Sequence, residues 1–341
     1  MSLASRSPTT KRLLWRGWYQ FLATRYRDPS WTFMNYGYRP TSAASASAVP
    51  RDLDPADEAD RSCIQLYDVV AGAVSLGGRE VLEIGCGRGG GASFVARYLK
   101  PRRMVAVDLS ARAVALCRAR FDVPGLSFEE GDAERLPFGD GSFDAVLNVE
   151  SSHCYGRLPV FLSEVRRVLR PGGDFLYADF RPRGDVDGWL AAIANAGFET
   201  RGQRDLTPGV LAALEADDES KRSLIARLGD RPLAGIFREF AALRGSALHT
   251  EMVSGALVYR GFVLTQGVRS AANSLAWKVV QKTGADYSVN AVPACRCART
   301  VRYSVGAETS SASTRRRSIG CPSSSSTVIP RRSSRYATIS S

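Results

Sequence analysis

The stretch that most constrains this chain is EVLEIGCGRGGG, residues 80–91, where an apolar run leads directly into five glycines within seven residues. The apolar run predicts a buried strand, and the following GASFVARYLK has the three-and-four spacing of a helix. Glycines between a strand and its helix permit positive φ angles and let a ligand approach the main chain without meeting a Cβ atom. The stretch therefore predicts a ligand site on the turn at Gly85, Gly87 and Gly89.

The same alternation of strand and helix continues along the chain. MVAVDLS, LSFEEGDA, FDAVLNVES and DFLYADF have strand patterns, and ARAVALCRAR and LPVFLSEVRRVLR have helical ones. Strands that alternate with helices of this length predict right-handed crossovers and a parallel sheet covered on both faces. We expect an open, doubly wound α/β sheet with ligands at the carboxyl ends of its strands, and GALVYRGFVLTQ as a late strand that closes it.

Composition divides the chain into three parts. Residues 1–50 form a basic, aromatic segment that ends in the small-residue linker TSAASASAVP. Residues 51–266 form the globular domain, in which helices at about 207–243 are placed to cover a substrate pocket. Residues 267–341 contain 16 serines and little periodic apolar pattern, so we interpret them as a disordered or non-native Ser/Arg-rich tail.

The net charge of +12 is typical of nucleic-acid binders, but its position argues against that class. The tail contains 12 Lys or Arg and 2 Asp or Glu, which leaves +2 for residues 1–266. A basic nucleic-acid-binding tail is one interpretation, and a frame-shifted C-terminus is the one we favour. We expect no nucleic-acid partner.

The chain contains no apolar run long enough to span a bilayer and no signal-peptide core at its N-terminus. Its seven cysteines lack the paired spacing of a zinc site, so we expect reduced thiols and no metal. These features predict a cytoplasmic protein.

Two carboxylates indicate which ligand the glycine turn binds, because Gly85, Gly87 and Gly90 alone also fit the dinucleotide pattern. Asp108 ends the second strand and is placed to accept hydrogen bonds from ribose hydroxyls. Asp132, with Ala133, follows the third strand, where an adenine would lie. The alternative for Asp108 is an aspartate that caps the helix beginning at SARA. Together the residues predict a nucleoside site.

VLEIGCGRGGG, VAVDLS, GDAERLPFGDGSFDAV and EVRRVLRPGGDFLYAD resemble the class I S-adenosylmethionine-dependent methyltransferases. This resemblance implies a Rossmann-like, mostly parallel seven-stranded sheet with an antiparallel late strand and a helical cover. It also implies S-adenosyl-L-methionine as the methyl donor and disfavours a dehydrogenase. The implied donor-binding residues are Glu83, Gly85, Cys86, Gly87, Asp108, Leu109, Asp132, Ala133 and Glu134, with Glu83 holding the loop near the amino-acid end of the donor. Arg88 is given no role.

One branch of that family is more similar than the rest. NYGY, RGGGAS, ESSHCY and YADFRP are similar to the mycobacterial phthiotriol and phenolphthiotriol dimycocerosate O-methyltransferases and to relatives that methylate glycolipids. The resemblance implies a lipid or glycolipid acceptor.

A hydroxyl acceptor needs a base within hydrogen-bond reach, and histidine suits neutral pH. His153 follows the fourth strand and Asp179 ends the fifth, at the same edge of the sheet. Sugar O-methyltransferases of the rebeccamycin type have a similar pair, which supports catalytic roles for both residues. The alternative for His153 is a structural residue of the loop, and His249 is interpreted as structural.

We therefore predict an enzyme that methylates a hydroxyl of a lipid, a polyketide-derived lipid or a glycolipid. The alternatives are O-methylation of a small natural product, C-methylation of a quinone or sterol, an inactive donor-binding scaffold, and a nucleic-acid binder that uses the basic tail. Cys154 and Tyr155 are candidates for the acceptor pocket or for ordinary packing. For the N-terminal aromatic residues, three interpretations stay open: a lid over the donor, a peripheral contact with a membrane, or ordinary packing.

Overall fold

A computed structural model describes residues 8–28, 31–41, 52–228 and 233–266. The strands in these ranges are β1 Glu80–Ile84, β2 Arg103–Asp108, β3 Leu126–Glu130, β4 Phe143–Val149, β5 Leu169–Pro182, β6 Phe198–Asp205 and β7 Leu257–Gln266. The helices are α1 Pro8–Arg25, α2 Arg61–Ala71, α3 Gly90–Phe94, α4 Ala111–Arg120, α5 Leu158–Val168, α6 Val186–Asn195, α7 Thr207–Ala216, α8 Asp218–Leu228, α9 Ala234–Phe240 and α10 Ala247–Val253. The predicted linker at residues 41–50 and the tail at 267–341 lie outside the described residues, except for Thr41.

The strands form one sheet in the order β3-β2-β1-β4-β5-β7-β6. Strands β1 to β5 pair in parallel, and β7 runs antiparallel to both β5 and β6. The chain therefore winds outward from β1 in one direction and from β4 in the other. A crevice forms where the winding reverses, at the carboxyl ends of these two neighbouring strands.

Alternate side chains of the central strands enter two separate cores. Val81 of β1 packs in one core with α2, α3, α4 and α7, whereas its neighbours Leu82 and Ile84 pack in the other with α5 and α6. This alternation follows from the two-residue period of a strand, and both faces are apolar because helices cover both. The predicted doubly wound sheet is confirmed.

A third cluster, the cover cluster, joins the N-terminal segment to the helices before β7. It consists of Leu22, Tyr26, Trp31 and Phe237, and Trp18 and Phe240 pack against it. Helix α1 thus contributes its aromatic side chains to a packed layer beside α9 and α4. This layer lies at the carboxyl edge of the sheet, since Trp15 of α1 contacts His153 there.

The end of the sheet differs from the sequence expectation. The predicted late strand does not close the sheet, because β7 lies between β5 and β6 and the edge strand is β6. An antiparallel strand such as β7 can pair with β5 on one side and with β6 on the other. The order of these strands depends on contacts between residues far apart in sequence. The helix predicted from GASFVARYLK is also irregular, because α3 continues as a π turn at Val95–Leu99.

Candidate active site

An open cavity of about 1160 Å³ lies at the carboxyl ends of β1, β2 and β4. This volume includes space that is open to solvent. The cavity is lined by the glycine turn after β1, by Asp108 and Leu109 at the end of β2, by residues 131–134 after β3, and by residues 149–151 and 153–156 at the end of β4 and beyond it. The N-terminal segment forms the opposite wall with Trp15, Tyr19 and residues 32–36.

The glycine turn has the predicted conformation, with φ angles of 77° at Gly85 and 54° at Gly87. The reason for the missing side chains differs between the two. A Cβ atom at Gly85 would lie 2.5 Å from Ser151 Oγ, so protein rather than ligand occupies that space. At Gly87 the nearest atom is Met34 Sδ at 3.4 Å, and this glycine faces the cavity. The sequence predicted that a ligand lies close to the backbone of this turn. At Gly85 it is the side chain of Ser151 that lies there instead.

Asp108 lies at the end of β2 and lines the cavity, as the sequence predicts. Its Oδ2 accepts a hydrogen bond from Gly87 N–H and its Oδ1 from Ser110 N–H, each at 2.9 Å. Burial raises the pKa of this carboxyl to about 6, although both backbone donors oppose the shift. Ser110, not Asp108, caps α4, because its side chain accepts the Ala113 N–H at 3.2 Å. The capping alternative for Asp108 is thus wrong.

Glu83 lies beneath the turn and does not line the cavity. Its side chain is fully buried, and Oε1 accepts a hydrogen bond from Tyr67 OH at 2.7 Å. Its Oε2 has no hydrogen-bond partner among the described residues. Burial raises its pKa to about 7, against the effect of the Tyr67 hydrogen bond. The carboxyl therefore has one oxygen available for a further donor.

Cys86, Leu109, Asp132, Ala133 and Glu134 all line the cavity, but their polar groups are not equally available. Asp132 Oδ1 accepts the Glu134 N–H at 3.0 Å. The Glu134 carboxylate accepts hydrogen bonds from the N–H groups of Gly156 and Arg157 and from the Arg157 side chain, at 2.8–2.9 Å. Glu134 is therefore engaged in holding the loop that follows β4.

The structure brings His153 and Asp179 together. His153 lies in the short turn Ser152–Cys154 after β4, and Asp179 lies near the end of β5. The His153 Nδ1 atom is 2.9 Å from Asp179 Oδ1, and the His153 backbone N–H donates to Asp179 Oδ2 at 2.9 Å. An ionised carboxylate on Nδ1 keeps the proton there, which leaves Nε2 free of a proton when the ring is neutral. His153 lines the cavity and is 20% exposed.

Several donors keep Asp179 ionised although it is fully buried. Burial alone would raise the pKa of Asp179, but Arg181 and His153 hold it well below its ordinary range. Burial acts to lower the pKa of His153, whereas Cys154 and the Asp179 carboxylate outweigh that effect and raise it above its ordinary value. The pair therefore consists of a permanent anion and a ring that binds a proton readily.

Glu150, which was not predicted from the sequence, faces the cavity directly after β4. Both oxygens of its carboxylate accept the Tyr36 N–H, at 3.0 and 3.1 Å. Its φ of 46° is unusual for a non-glycine residue, and such strain persists only where surrounding contacts impose it. Glu150 thus joins the NYGY and ESSHCY stretches, which the sequence linked only through a family resemblance.

Tyr36 extends this connection to the histidine. Its ring stacks on Phe180 with centroids 5.5 Å apart, and Phe180 packs on His153 at 4.3 Å. Cys154 and Tyr155 line the same cavity; Tyr155 OH accepts a hydrogen bond from Asn148 Nδ2 at 3.0 Å. The imidazole orientation is therefore fixed by Asp179 on one side and by an aromatic stack on its face.

Arg88, which was given no role, fastens the N-terminal segment to the glycine turn. Its guanidinium donates to the carbonyl oxygens of Trp31 at 2.5 Å and Tyr26 at 2.9 Å, and it lies 4.4 Å from the Trp31 ring centroid. Its burial is nearly complete, at 3% exposure. No local sequence signal identifies this role, because its partners lie about sixty positions away.

Comparisons with known proteins identify the family. Residues 82–177 match the family model described as a methyltransferase domain. Over 262 residues the chain is 39% identical to the phthiotriol/phenolphthiotriol dimycocerosates methyltransferase of Mycobacterium tuberculosis, covering 76% of this chain and 94% of that protein. The chain belongs to the class I S-adenosylmethionine-dependent methyltransferases.

Two further comparisons place the methyltransferase among its relatives. It is 41% identical over 226 residues to the fatty-acid O-methyltransferase of Mycolicibacterium smegmatis, which covers 66% of this chain and 81% of that protein. The solved structure of the cyclopropane synthase MmaA2 from Mycobacterium tuberculosis matches with a TM-score of 0.54 at 16% identity, over 72% of this chain and 93% of that one. At that identity the structural match supports the fold alone.

S-adenosylmethionine is the methyl donor of this family and of this methyltransferase. The residues present fit such a ligand. Asp108 offers carboxylate oxygens at the cavity wall, and Gly87 leaves the main chain accessible beside it. The unpartnered oxygen of Glu83 lies beneath the turn and not at the cavity wall. These groups are suited to hydroxyl and ammonium donors, which a nucleoside with an amino-acid chain supplies.

Membrane-spanning helices and metal-binding clusters are both absent from the described ranges. None of the helices there combines the length and apolar character needed to cross a membrane. Within the same ranges, no three or more His, Cys, Asp and Glu side chains are grouped so that they would hold a metal ion.

Proposed function

We propose that this methyltransferase transfers a methyl group to a hydroxyl of a lipid, a polyketide-derived lipid or a glycolipid. The observation that carries the proposal is the hydrogen-bonded pair of His153 and Asp179 at the wall of the donor cavity. The names of the two curated relatives, a phthiotriol dimycocerosates methyltransferase and a fatty-acid O-methyltransferase, support a lipid acceptor. We retain the predicted division of the chain, with residues 51–266 as the methyltransferase domain and 207–243 as its cover.

Donor binding is assigned to the carboxyl edge of the sheet. Asp108 would accept hydrogen bonds from the ribose hydroxyls, and Asp132 with Ala133 would border the adenine. Glu83 would accept a hydrogen bond at the amino-acid end, while Gly85, Cys86, Gly87 and Leu109 shape the wall. Glu134 would act through the loop that it holds. When bound, the donor supplies a methyl group already activated by its sulfonium.

The remaining task of the protein is to align the acceptor and to accept its proton. In the neutral ring, the lone pair on His153 Nε2 is the acceptor for the hydroxyl proton. Asp179 keeps the other nitrogen protonated and stabilises the imidazolium that forms. Because the charge of the imidazolium is balanced by a buried carboxylate, the proton transfer creates no unpaired charge in the site.

A second candidate is methylation of a fatty-acid carboxylate. The raised pKa of His153, in which Cys154 and Asp179 overcome the effect of burial, favours a protonated ring at neutral pH. A protonated ring would donate a hydrogen bond to a carboxylate, which needs no base because it is already ionised. A fatty-acid O-methyltransferase is also among the relatives.

The two candidates differ in product and in their use of His153. A long-chain alcohol, a long-chain diol and a fatty acid of equal chain length are offered in turn, and S-adenosylhomocysteine release is measured for the wild type and His153→Gln. We expect turnover of the hydroxyl compounds and its loss in the variant. Turnover of the acid alone would replace this proposal by the second candidate.

A further inference from the structure

Exposed apolar side chains are concentrated at the cover of the cavity. Among the described residues, the large apolar side chains that are exposed are Leu14, Phe21, Ile236 and Val253, at 43%, 39%, 49% and 58%. Leu14 and Phe21 lie on α1, and Ile236 lies on α9, the two helices that meet in the cover cluster. Only Val253 is elsewhere, on α10.

Helix α1 is apolar on two faces. Trp15 and Tyr19 face inward and line the cavity. Leu14, Trp18 and Phe21 recur at intervals of four and three residues. Leu14 and Phe21 are exposed, whereas Trp18 is partly buried against the cover cluster and stacks on the Phe21 ring at 5.8 Å. We name these three residues the outer face. Leu14 and Phe21 thus leave apolar surface on α1 that a partner can cover.

The charge of the N-terminal segment identifies the chemistry of that partner. Residues 1–27 contain six Lys or Arg and no Asp or Glu, whereas residues 28–266 contain 28 Lys or Arg and 32 Asp or Glu. The segment that carries the outer face is thus strongly basic, and the domain that it covers is slightly acidic. Arg27 is exposed just beyond the end of α1.

We propose that the outer face of α1 docks on an anionic lipid surface and presents the cavity to an acceptor held in that surface. Helices that combine Trp, Phe and Leu on one face with Lys and Arg elsewhere bind in the plane of a lipid interface. Each basic residue near an anionic surface adds to the attraction. A second copy of this chain is a poorer partner, because two segments with the same positive charge repel each other.

Docking on lipid would also deliver the acceptor to the catalytic pair. The inner face of the same helix reaches His153, since the Trp15 ring packs edge-on against the imidazole with centroids 6.1 Å apart. Tyr19 OH lies 3.8 Å from Cys154 Sγ. Leu14 and Trp15 are consecutive residues, so an exposed and a cavity-lining side chain lie on the same turn of α1, about 100° apart around its axis. This step rests on the proposed lipid acceptor, whereas the docking itself does not.

Vesicle binding tests the docking without donor or acceptor. The full chain, the double variant Leu14→Ser with Phe21→Ser, and the control Val253→Ser are each sedimented with vesicles of phosphatidylcholine alone or mixed with phosphatidylglycerol. None of these substitutions changes the charge, and residues 267–341 are identical in all three proteins. A difference between them therefore reports the outer face and not the basic tail.

We expect the wild type and the control to bind the mixed vesicles, and the double variant to bind about tenfold more weakly, because two exposed apolar side chains no longer insert. The wild type should bind phosphatidylcholine alone more weakly than the mixture. Turnover of a short-chain, water-soluble alcohol should be equal in all three proteins. Equal vesicle binding by the double variant and the control, or no binding by the wild type, would overturn the proposal. Neither result would depend on which acceptor the enzyme methylates.

Discussion

Asp179→Asn tests the catalytic pair with the smallest change in shape. In the wild type, Oδ1 accepts from His153 Nδ1 and from Phe180 N–H, and Oδ2 accepts from Ser152 Oγ and from the His153 backbone N–H. An asparagine replaces one of these acceptors by an NH₂ group. With the NH₂ group at the Oδ2 position, Ser152 Oγ, the His153 backbone N–H and Arg181 would all lose their acceptor.

The less disruptive orientation places the NH₂ group at the Oδ1 position. It would then donate to His153 Nδ1, which becomes an acceptor, so that the proton of the neutral ring moves to Nε2. A ring protonated at Nε2 cannot take the proton of a hydroxyl. General base catalysis contributes about 10²- to 10⁴-fold to a rate, and we expect kcat to fall by that factor. Donor affinity should change by less than about threefold, because Asp179 does not line the cavity.

The assay combines single-turnover methylation of a long-chain alcohol with calorimetric titration of S-adenosylmethionine. Circular dichroism and thermal unfolding establish that the variant is folded, since Arg181 loses its ion pair with Asp179 at 3.2 Å. His153→Gln serves as a second variant that leaves the buried carboxylate paired with Arg181. If both folded variants retain kcat within about threefold of the wild type, the pair is not the base and the reasoning is refuted.

Three further predictions follow from the same geometry. Because burial raises the pKa of Asp108 to about 6, S-adenosylmethionine affinity measured by calorimetry should weaken as the pH falls below that value. Asp108→Asn should lower the affinity by about 10- to 100-fold and remove this pH dependence. An unchanged affinity would exclude the assigned role of Asp108. Burial acts to lower the pKa of His153, but Cys154 and Asp179 outweigh it and raise this pKa above its ordinary value. The kcat/KM for an alcohol should therefore increase with pH until that pKa is passed. A kcat/KM that falls over the same pH range would indicate a carboxylate acceptor. Arg88→Met should lower the free energy of unfolding by about 2–4 kcal/mol, because two backbone carbonyls lose a charged donor, and should expose the N-terminal segment to proteolysis. The control is Arg102→Met, at a side chain that is 64% exposed. Equal protease resistance of the two variants would contradict the role assigned to Arg88.

The sequence was sufficient for the parts of the fold that depend on local pattern. The apolar run at residues 81–84 predicts a buried strand in a sheet covered on both faces, and the structure places Val81 in one core and Leu82 and Ile84 in the other. The position of Asp108 after β2 follows from the same local reasoning. The predicted sheet is correct because each strand and helix of a doubly wound fold carries its own period.

The parts that were missed depend on contacts between distant residues. Glu150 bonds to Tyr36, 114 positions earlier, and neither residue carries a local signal of that contact. Arg88 binds carbonyl oxygens 57 and 62 positions away, and main-chain oxygens leave no trace in a sequence. Glu134, a predicted donor-binding residue, lines the cavity, and long-range contacts also engage its carboxylate with Gly156 and Arg157, which adjoin the loop that carries His153. Local pattern thus predicts where the cavity lies, and long-range contacts decide which side chains remain available in it.

The central claim is that a hydroxyl oxygen of a lipid receives the methyl group. The most direct measurement uses S-adenosylmethionine with a deuterated methyl group and a long-chain lipid that contains both a hydroxyl and a carboxyl group. Tandem mass spectrometry of the product then locates the label. We expect a labelled methyl ether, with one S-adenosylhomocysteine released per ether formed, and no product from His153→Gln. A labelled methyl ester in place of the ether, or an ether formed equally well by the variant, would contradict it.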